Sequence, residues 1–125
     1  MYDEDWQIVM AEQIARLRNA TLCPLTPEQV TLIDLLDNVL TLRLRDKLVD
    51  FQRGLADQTI TTSRDVAHYN LSVPFTYINA AVDLLLDPTT GPLDDDQVQA
   101  LRRIRDYTRR IAGWVTEIMT LLPEG

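Results

Sequence analysis

His68 and Cys23 are the two side chains of this sequence whose types most often serve catalysis or metal binding. An imidazole titrates near neutral pH and suits proton or phosphate transfer, and a thiolate can attack a substrate or bind a metal. Each residue type occurs once, and the two lie far apart in sequence, so they form no ligand pair. The acidic run 94–96 precedes a helical pattern and is typical of a helix start. We therefore predict no metal site and no cofactor.

Other catalytic patterns are also missing from the sequence. The four glycines are isolated from one another, so no glycine-rich loop is present that could cradle a phosphate. No serine has the spacing of a hydrolase nucleophile elbow. The sequence therefore indicates neither a phosphate-binding loop nor a hydrolase of this type.

The charge balance disfavours nucleic acid as a partner. The 125 residues include 19 acidic and 12 basic ones, which gives a formal net charge of −7, whereas a nucleic-acid surface calls for a basic field. The chain opens with the acidic stretch MYDEDWQ, unlike a secretory signal, and no apolar run is long enough to span a membrane. A single cysteine is typical of a reducing compartment. We predict a cytoplasmic protein that binds neither nucleic acid nor membrane.

The N-terminal half predicts two helices with a proline-containing break between them. Residues 3–18 place on one helical face the side chains of Trp6, Val9, Met10, Ile14 and Leu17. Thr26 is placed to cap a second helix, with Gln29 in the capping-box position. Apolar residues then recur three or four apart to about residue 55, at Val30, Ile33, Leu36, Leu40, Leu44, Leu48, Phe51 and Leu55. The polar stretch 58–63 favours a joint, with a continuous helix as the alternative.

The C-terminal half predicts a helical hairpin. Residues 64–86 and the last helix each carry apolar residues spaced alternately three and four apart, which is the seam of a left-handed bundle or coiled coil. Two prolines and a glycine predict a loop at 87–92, and Asp94 with Gln97 forms a second capping box. The seam residues, which we predict form a dimer core, are Leu71, Phe75, Ile78, Val82, Leu85, Leu101, Ile104, Ile111, Val115 and Ile118.

These elements predict an all-α protein in two parts. Residues 1–62 would form an N-terminal helical extension, and residues 63–125 a dimerisation hairpin. A lone hairpin leaves an apolar stripe uncovered, so two hairpins from two copies would pair in a four-helix bundle. The extension would lengthen this bundle or pack beside it.

Residues 64–122 resemble the dimerisation and histidine-phosphotransfer region of sensor histidine kinases. In that family the first helix carries a block that reads His, Glu or Asp, Leu, Arg or Lys, Thr or Asn, Pro, Leu; here residues 69–75 read Tyr-Asn-Leu-Ser-Val-Pro-Phe. The likeness continues through Leu84-Leu85-Leu86-Asp87 and Gly91-Pro92-Leu93 to Gln97, Leu101 and Ile104. The resemblance implies a homodimer that acts in two-component signalling with a receiver domain or a partner kinase.

The positions that perform chemistry in that family are changed in this chain. By the resemblance, the phosphoacceptor histidine aligns with Tyr69, the acidic residue with Asn70, the basic residue with Ser72 and the phosphatase residue with Val73. A phenol with a pKa of about 10 does not replace an imidazole that titrates near about 6.5. The sequence also lacks the glycine-rich and Asn-containing boxes of the kinase's ATP-binding domain. We expect a preserved bundle with a lost active site.

His68 lies one residue before the acceptor position of the family. Counting back three residues from Leu71 places His68 on the seam, about 100° of helix rotation away from the flank on which the acceptor is exposed. We interpret His68 as a partly buried packing residue. The alternative is that His68 is the phosphoacceptor of an ATP-independent histidine phosphotransferase.

Arginines crowd the last helix and offer a candidate docking site. Arg102, Arg105 and Arg109 could bind an acidic partner such as a receiver domain. The more common role of such a row is a solvated face, here supported by pairing of Asp106 with Arg102 and Arg110 at i,i+4 spacing. We predict a non-catalytic two-component-type signalling adaptor; the alternatives are the His68 phosphotransferase and a purely structural dimerisation module.

Overall fold

The computed structural model describes residues 5–19, 24–50 and 64–120, with side chains throughout these ranges except at 5, 64–71, 118 and 119. The described residues form helices and connecting loops without a strand, which confirms the all-α prediction. None of the described helices is long and apolar enough to cross a membrane. The α-helices are α1 (Asp5–Arg18), α2 (Pro27–Asn38), α3 (Arg64–Leu86) and α4 (Asp95–Met119).

The helix that begins with α2 does not stay α-helical. It passes into a π-helix at Val39–Leu44 and returns to α-helix at 45–50; we call the whole run, 27–50, the central helix. The expected continuation to about residue 55 and the joint at 58–63 lie outside the described residues.

The spacing of buried leucines explains the π-helix. Leu36, Leu40, Leu44 and Leu48 follow one another at intervals of four and are all buried. In a regular α-helix each four-residue step rotates the side chain by about 40°, so this stripe would drift off the core. A π-helix has wider i→i+5 turns, which removes the drift and keeps the four leucines on one side.

The four helices form an up-down-up-down bundle within one chain. α1 packs against α4 and the central helix, and α3 packs against the same two helices. Gln97 Nε2, at the start of α4, donates to the carbonyl oxygen of Leu17 at the end of α1, at 2.9 Å. Gln29 Nε2, near the start of the central helix, donates to the carbonyl oxygen of Pro92, also at 2.9 Å. Two helix starts and two helix ends therefore meet at the same end of the bundle.

Both predicted capping boxes are present. Thr26 Oγ1 accepts from the Gln29 N–H at 3.1 Å, and Gln29 Oε1 accepts from the Thr26 N–H at 2.8 Å. Asp94 Oδ1 accepts from the Gln97 N–H at 2.8 Å, and Gln97 Oε1 accepts from the Asp94 N–H at 3.0 Å. Both glutamines also donate a hydrogen bond to a carbonyl oxygen of another segment. Each one therefore caps its own helix and links that helix to a neighbouring segment.

One apolar core joins the two predicted parts of the chain. Of the N-terminal residues expected on one face, all are buried except Val9, which is half-buried. Val30 is 40% exposed, so its expected place on the apolar face is wrong; it follows the buried Gln29 and turns to the flank. The predicted boundary between 62 and 63 lies outside the described residues and stays a prediction. The core comprises Trp6, Met10, Ile14, Leu17, Ile33, Leu36, Val39, Leu40, Leu44, Leu48, Ile78, Ala81, Val82, Leu85, Ala100, Leu101, Ile104, Ile111 and Val115.

Replacing the buried Gln97 by alanine should destabilise the bundle by about 2–3 kcal/mol, because two hydrogen bonds are lost and their buried partners are left unpaired. Gln99→Ala on the exposed side of α4 is the matched control and should change stability by less than about 0.5 kcal/mol. Urea unfolding followed by circular dichroism measures both. Equal stabilities of the two variants would contradict the fastening role of Gln97.

Gly91 and Gly113 should respond to alanine with opposite signs. Gly91 has a φ of +152°, and a Cβ there would lie 2.7 Å from the Gln29 side chain, which is held by its own hydrogen bonds. Gly91→Ala should therefore cost about 1–3 kcal/mol. Gly113 lies on α4, and a Cβ added there would meet no neighbouring atom within 4 Å, so Gly113→Ala should stabilise the helix by up to about 1 kcal/mol. Thermal unfolding of the two variants measures the difference, and a shift of the same sign in both would refute the reasoning.

Candidate functional site

The flank of α4 that faces α3 carries a row of arginines. Arg102, Arg105 and Arg109 each immediately follow a buried residue, so they project from the same flank of the helix. Arg105 is half-buried and forms an ion pair with Asp83 on α3, which identifies the neighbour on this side. Arg102 and Arg109 are exposed on either side of that pair. We call the three arginines the cationic strip.

The opposite flank of α4 also carries positive charge, in a different setting. Arg103 and Arg110 each precede a buried residue and lie with Tyr107 on the side away from α3. The Arg110 guanidinium lies over the Tyr107 ring, 5.3 Å from its centroid, in a cation–π contact. In the described part of α4, Asp106 forms no salt bridge with Arg102 or with Arg110. The i,i+4 pairing expected from the sequence is therefore not present.

The α3 side of the groove beside the cationic strip is polar. Asn79 and Asp83 follow buried residues of α3 and lie on the flank that faces α4. Further along the helix, Thr76 Oγ1 donates to the carbonyl oxygen of Ser72 at 3.0 Å, close to where Pro74 interrupts the backbone hydrogen-bond pattern. Asp83 neutralises the middle of the strip and leaves its two ends free to meet an anionic surface.

Sequence reasoning did not identify Asp83 as the partner of Arg105. The signal was present, because an acidic residue on the first helix and a basic one on the second can meet across an antiparallel hairpin. To identify this pair from the sequence, one would need to know how far the two helices are shifted along their axes relative to each other. The geometry of the loop sets that shift.

The motif positions of the kinase-like block are only partly described. The backbone at His68, Tyr69 and Asn70 belongs to α3, and the side chains of these residues lie outside the described set. Ser72 and Val73 are half-buried, beside the buried Pro74. The roles assigned to these positions from the resemblance, including either role for His68, therefore stay predictions.

The predicted dimer-core residues lie inside a single chain. Seven of them are buried by α1 and the central helix of the same molecule: Ile78, Val82, Leu85, Leu101, Ile104, Ile111 and Val115. Phe75 is half-buried and packs against this core, whereas the side chains of Leu71 and Ile118 lie outside the described set. A dimer that pairs two hairpins through this seam would require α1 and the central helix to move away, and it stays a prediction.

Two hydrogen-bonded clusters shift the pKa of exposed charges near the bundle end. Asp87 Oδ1 accepts from the Thr89 N–H at 2.9 Å and the Thr89 hydroxyl at 2.8 Å, which lowers the pKa of Asp87. Arg18 donates to Asp34 and Asp37, and these hydrogen bonds raise the pKa of Arg18.

Comparison with protein-family models, with curated proteins and with solved structures gives no match.

Proposed function

We propose that the chain is a non-catalytic signalling adaptor of the two-component type, which binds a receiver domain or a partner kinase through the groove between α3 and α4. The observation that carries the proposal is the cationic strip. It lies along one flank of a well-packed hairpin and presents Arg102 and Arg109 to solvent. The link to two-component signalling itself rests on the sequence resemblance of residues 64–122.

The electrostatics favour an acidic partner for this surface. The chain has a net charge of −7, so an acidic partner is repelled by the molecule as a whole and attracted locally by the strip. Such a distribution orients the approach of the partner, and charges at the rim of an interface act mainly on the association rate and specificity. Receiver domains, which the resemblance implies as partners, have acidic active sites and fit this pattern.

The adaptor role does not depend on a dimer formed through the seam. Each chain completes its own four-helix bundle, so the α3–α4 groove is formed by one copy alone. Occupancy of the groove would compete with the true kinase or with the output domain for the same receiver. The cytoplasmic location that such partners require belongs to the same proposal.

Reversing the charges at the two ends of the cationic strip should weaken docking. We expect the wild-type chain to bind at least one member of a panel of purified receiver domains, with an affinity that falls as salt is raised. The double variant Arg102→Glu/Arg109→Glu should raise Kd by about tenfold or more, measured by biolayer interferometry. Arg103→Glu/Arg110→Glu makes the same charge change on the other flank of α4 and should stay within about threefold of the wild type. Equal losses in both variants, or no binding to any receiver, would count against the proposal.

The non-catalytic part of the proposal has a separate test. The chain is incubated with receiver domains phosphorylated by radiolabelled acetyl phosphate, and acid-labile label on the chain is quantified. We expect none, because Tyr69, Asn70 and Val73 cannot replace the family's acceptor and proton-transfer groups. Label that disappears in His68→Gln, with the fold intact, would instead establish the phosphotransferase alternative.

A further inference from the structure

An apolar flank of α3 remains outside the core. Tyr77 and Leu84 are 46% and 51% exposed, and each immediately precedes a buried core residue. Residues that follow a buried residue lie on the other flank, since Asp83 is one of them and pairs with Arg105 on α4. Tyr77 and Leu84 therefore lie on the flank turned away from α4, toward the side where the central helix packs.

The central helix contributes a matching flank. Glu28, Leu35 and Arg43 are exposed, and each immediately precedes a buried residue. The other flank of this helix faces α1, because Asp34 follows a buried residue and pairs with Arg18. Glu28, Leu35 and Arg43 are thus turned away from α1, toward α3, and share an outer surface with Tyr77 and Leu84.

The relative level of the two helices places Leu35 at the middle of this surface. Thr26 Oγ1 donates to the carbonyl oxygen of Thr90, and the central helix runs antiparallel to α3 from that point. Leu35 comes nine residues after Thr26, about 14 Å along the central helix. Thr90 folds back on the end of α3, where its Oγ1 donates to the carbonyl oxygen of Leu84, so Leu35 lies beside the stretch of α3 between Tyr77 and Leu84.

The surface is apolar in its centre and charged at its two ends. No Asp, Glu, Lys or Arg occurs on α3 between residues 72 and 82, and the exposed Ala80 leaves room for close approach at the middle. On the central helix, Glu28 precedes Leu35 by seven residues and Arg43 follows it by eight. A negative and a positive charge therefore lie at nearly equal distances from the centre.

We propose that this surface binds a second copy of the chain in an antiparallel, two-fold symmetric dimer. A two-fold axis that passes near Ala80 and Leu35 sets Tyr77 of each copy against Leu84 of the other. The same axis brings Glu28 of each copy to Arg43 of the other, so that two salt bridges close the rim. The interface is self-complementary, which a two-fold contact requires.

The charges select the antiparallel arrangement over its alternatives. A parallel pairing of the same surfaces would gather Glu28 of both copies at one end of the interface and Arg43 of both copies at the other. Exposed salt bridges contribute only about 0–1 kcal/mol each, so the apolar centre supplies most of the affinity and the charges set the orientation. Few large side chains are involved, and an interface of this size is typical of weak, concentration-dependent association.

This dimer is independent of the proposed adaptor function and of the seam predicted from the sequence. The cationic strip lies on α4, which packs beside the flank of α3 opposite to Tyr77 and Leu84, so substitutions there leave the dimer surface intact. A dimer through the seam would require the bundle to open, whereas the surface described here uses the bundle as it stands.

The test is sedimentation velocity of the full chain between about 1 μM and 1 mM, with circular dichroism to check the fold. We expect a monomer–dimer equilibrium in which Leu84→Lys raises Kd by about tenfold or more. Ile8→Lys is the matched control, since Ile8 is an exposed apolar residue on α1, 64% exposed, and it should leave Kd within about twofold. A wild-type monomer at every concentration, or a dimer that Leu84→Lys does not weaken, would overturn the proposal.

A charge-swap cycle tests the orientation. Glu28→Arg and Arg43→Glu should each weaken the dimer, because each places like charges together at both ends of the interface. The double variant Glu28→Arg/Arg43→Glu should return Kd to within about threefold of the wild type. A double variant that is as weak as the single variants would exclude the antiparallel arrangement.

Discussion

Two buried glutamine side chains, Gln29 and Gln97, hold the bundle in register. Each completes the capping box of its own helix and donates a further hydrogen bond to a carbonyl of another segment. Leaving a buried amide group unpaired lowers the stability of the fold. These hydrogen bonds therefore fix where each of the two helices begins and how far it is shifted along its neighbour. The Thr26 hydroxyl adds a further bond between the central helix and the loop after α3, because it donates to the carbonyl oxygen of Thr90.

Burial of seven seam residues within one chain limits what the outer surfaces can do. α1 and the central helix cover the apolar side of the α3–α4 hairpin, so among the described residues its flanks are the parts left exposed. These flanks differ in chemistry. One carries the arginines of α4, and the other carries Tyr77 and Leu84 of α3. The two proposed contact surfaces therefore lie on separate flanks of one bundle, and each can be changed without the other.

Local features of this fold were predictable from the sequence, and features set by tertiary context were not. The bounds of α3, the loop after it and both capping boxes follow from residues close together in the chain. The sequence did not show whether the seam is covered by helices of the same chain or of a second copy. A heptad pattern is the same in both cases. The exposed side of Val30 and the burial of Gln13, whose Oε1 has no partner among the described residues, likewise depend on packing between helices. For the candidate site, the arginines were visible in the sequence, and the pairing of Arg105 was not.

The π-helix at Val39–Leu44 has a consequence for how the length of this chain can vary. Removing one residue there would turn the buried series at 36, 40, 44 and 48 into steps of four, three and four, which suit a regular α-helix. The parts of the central helix before and after the deletion would both keep their buried faces toward the core. Homologous chains should therefore tolerate a single-residue deletion in this segment, whereas the same deletion in α4 would turn every later side chain by about 100°.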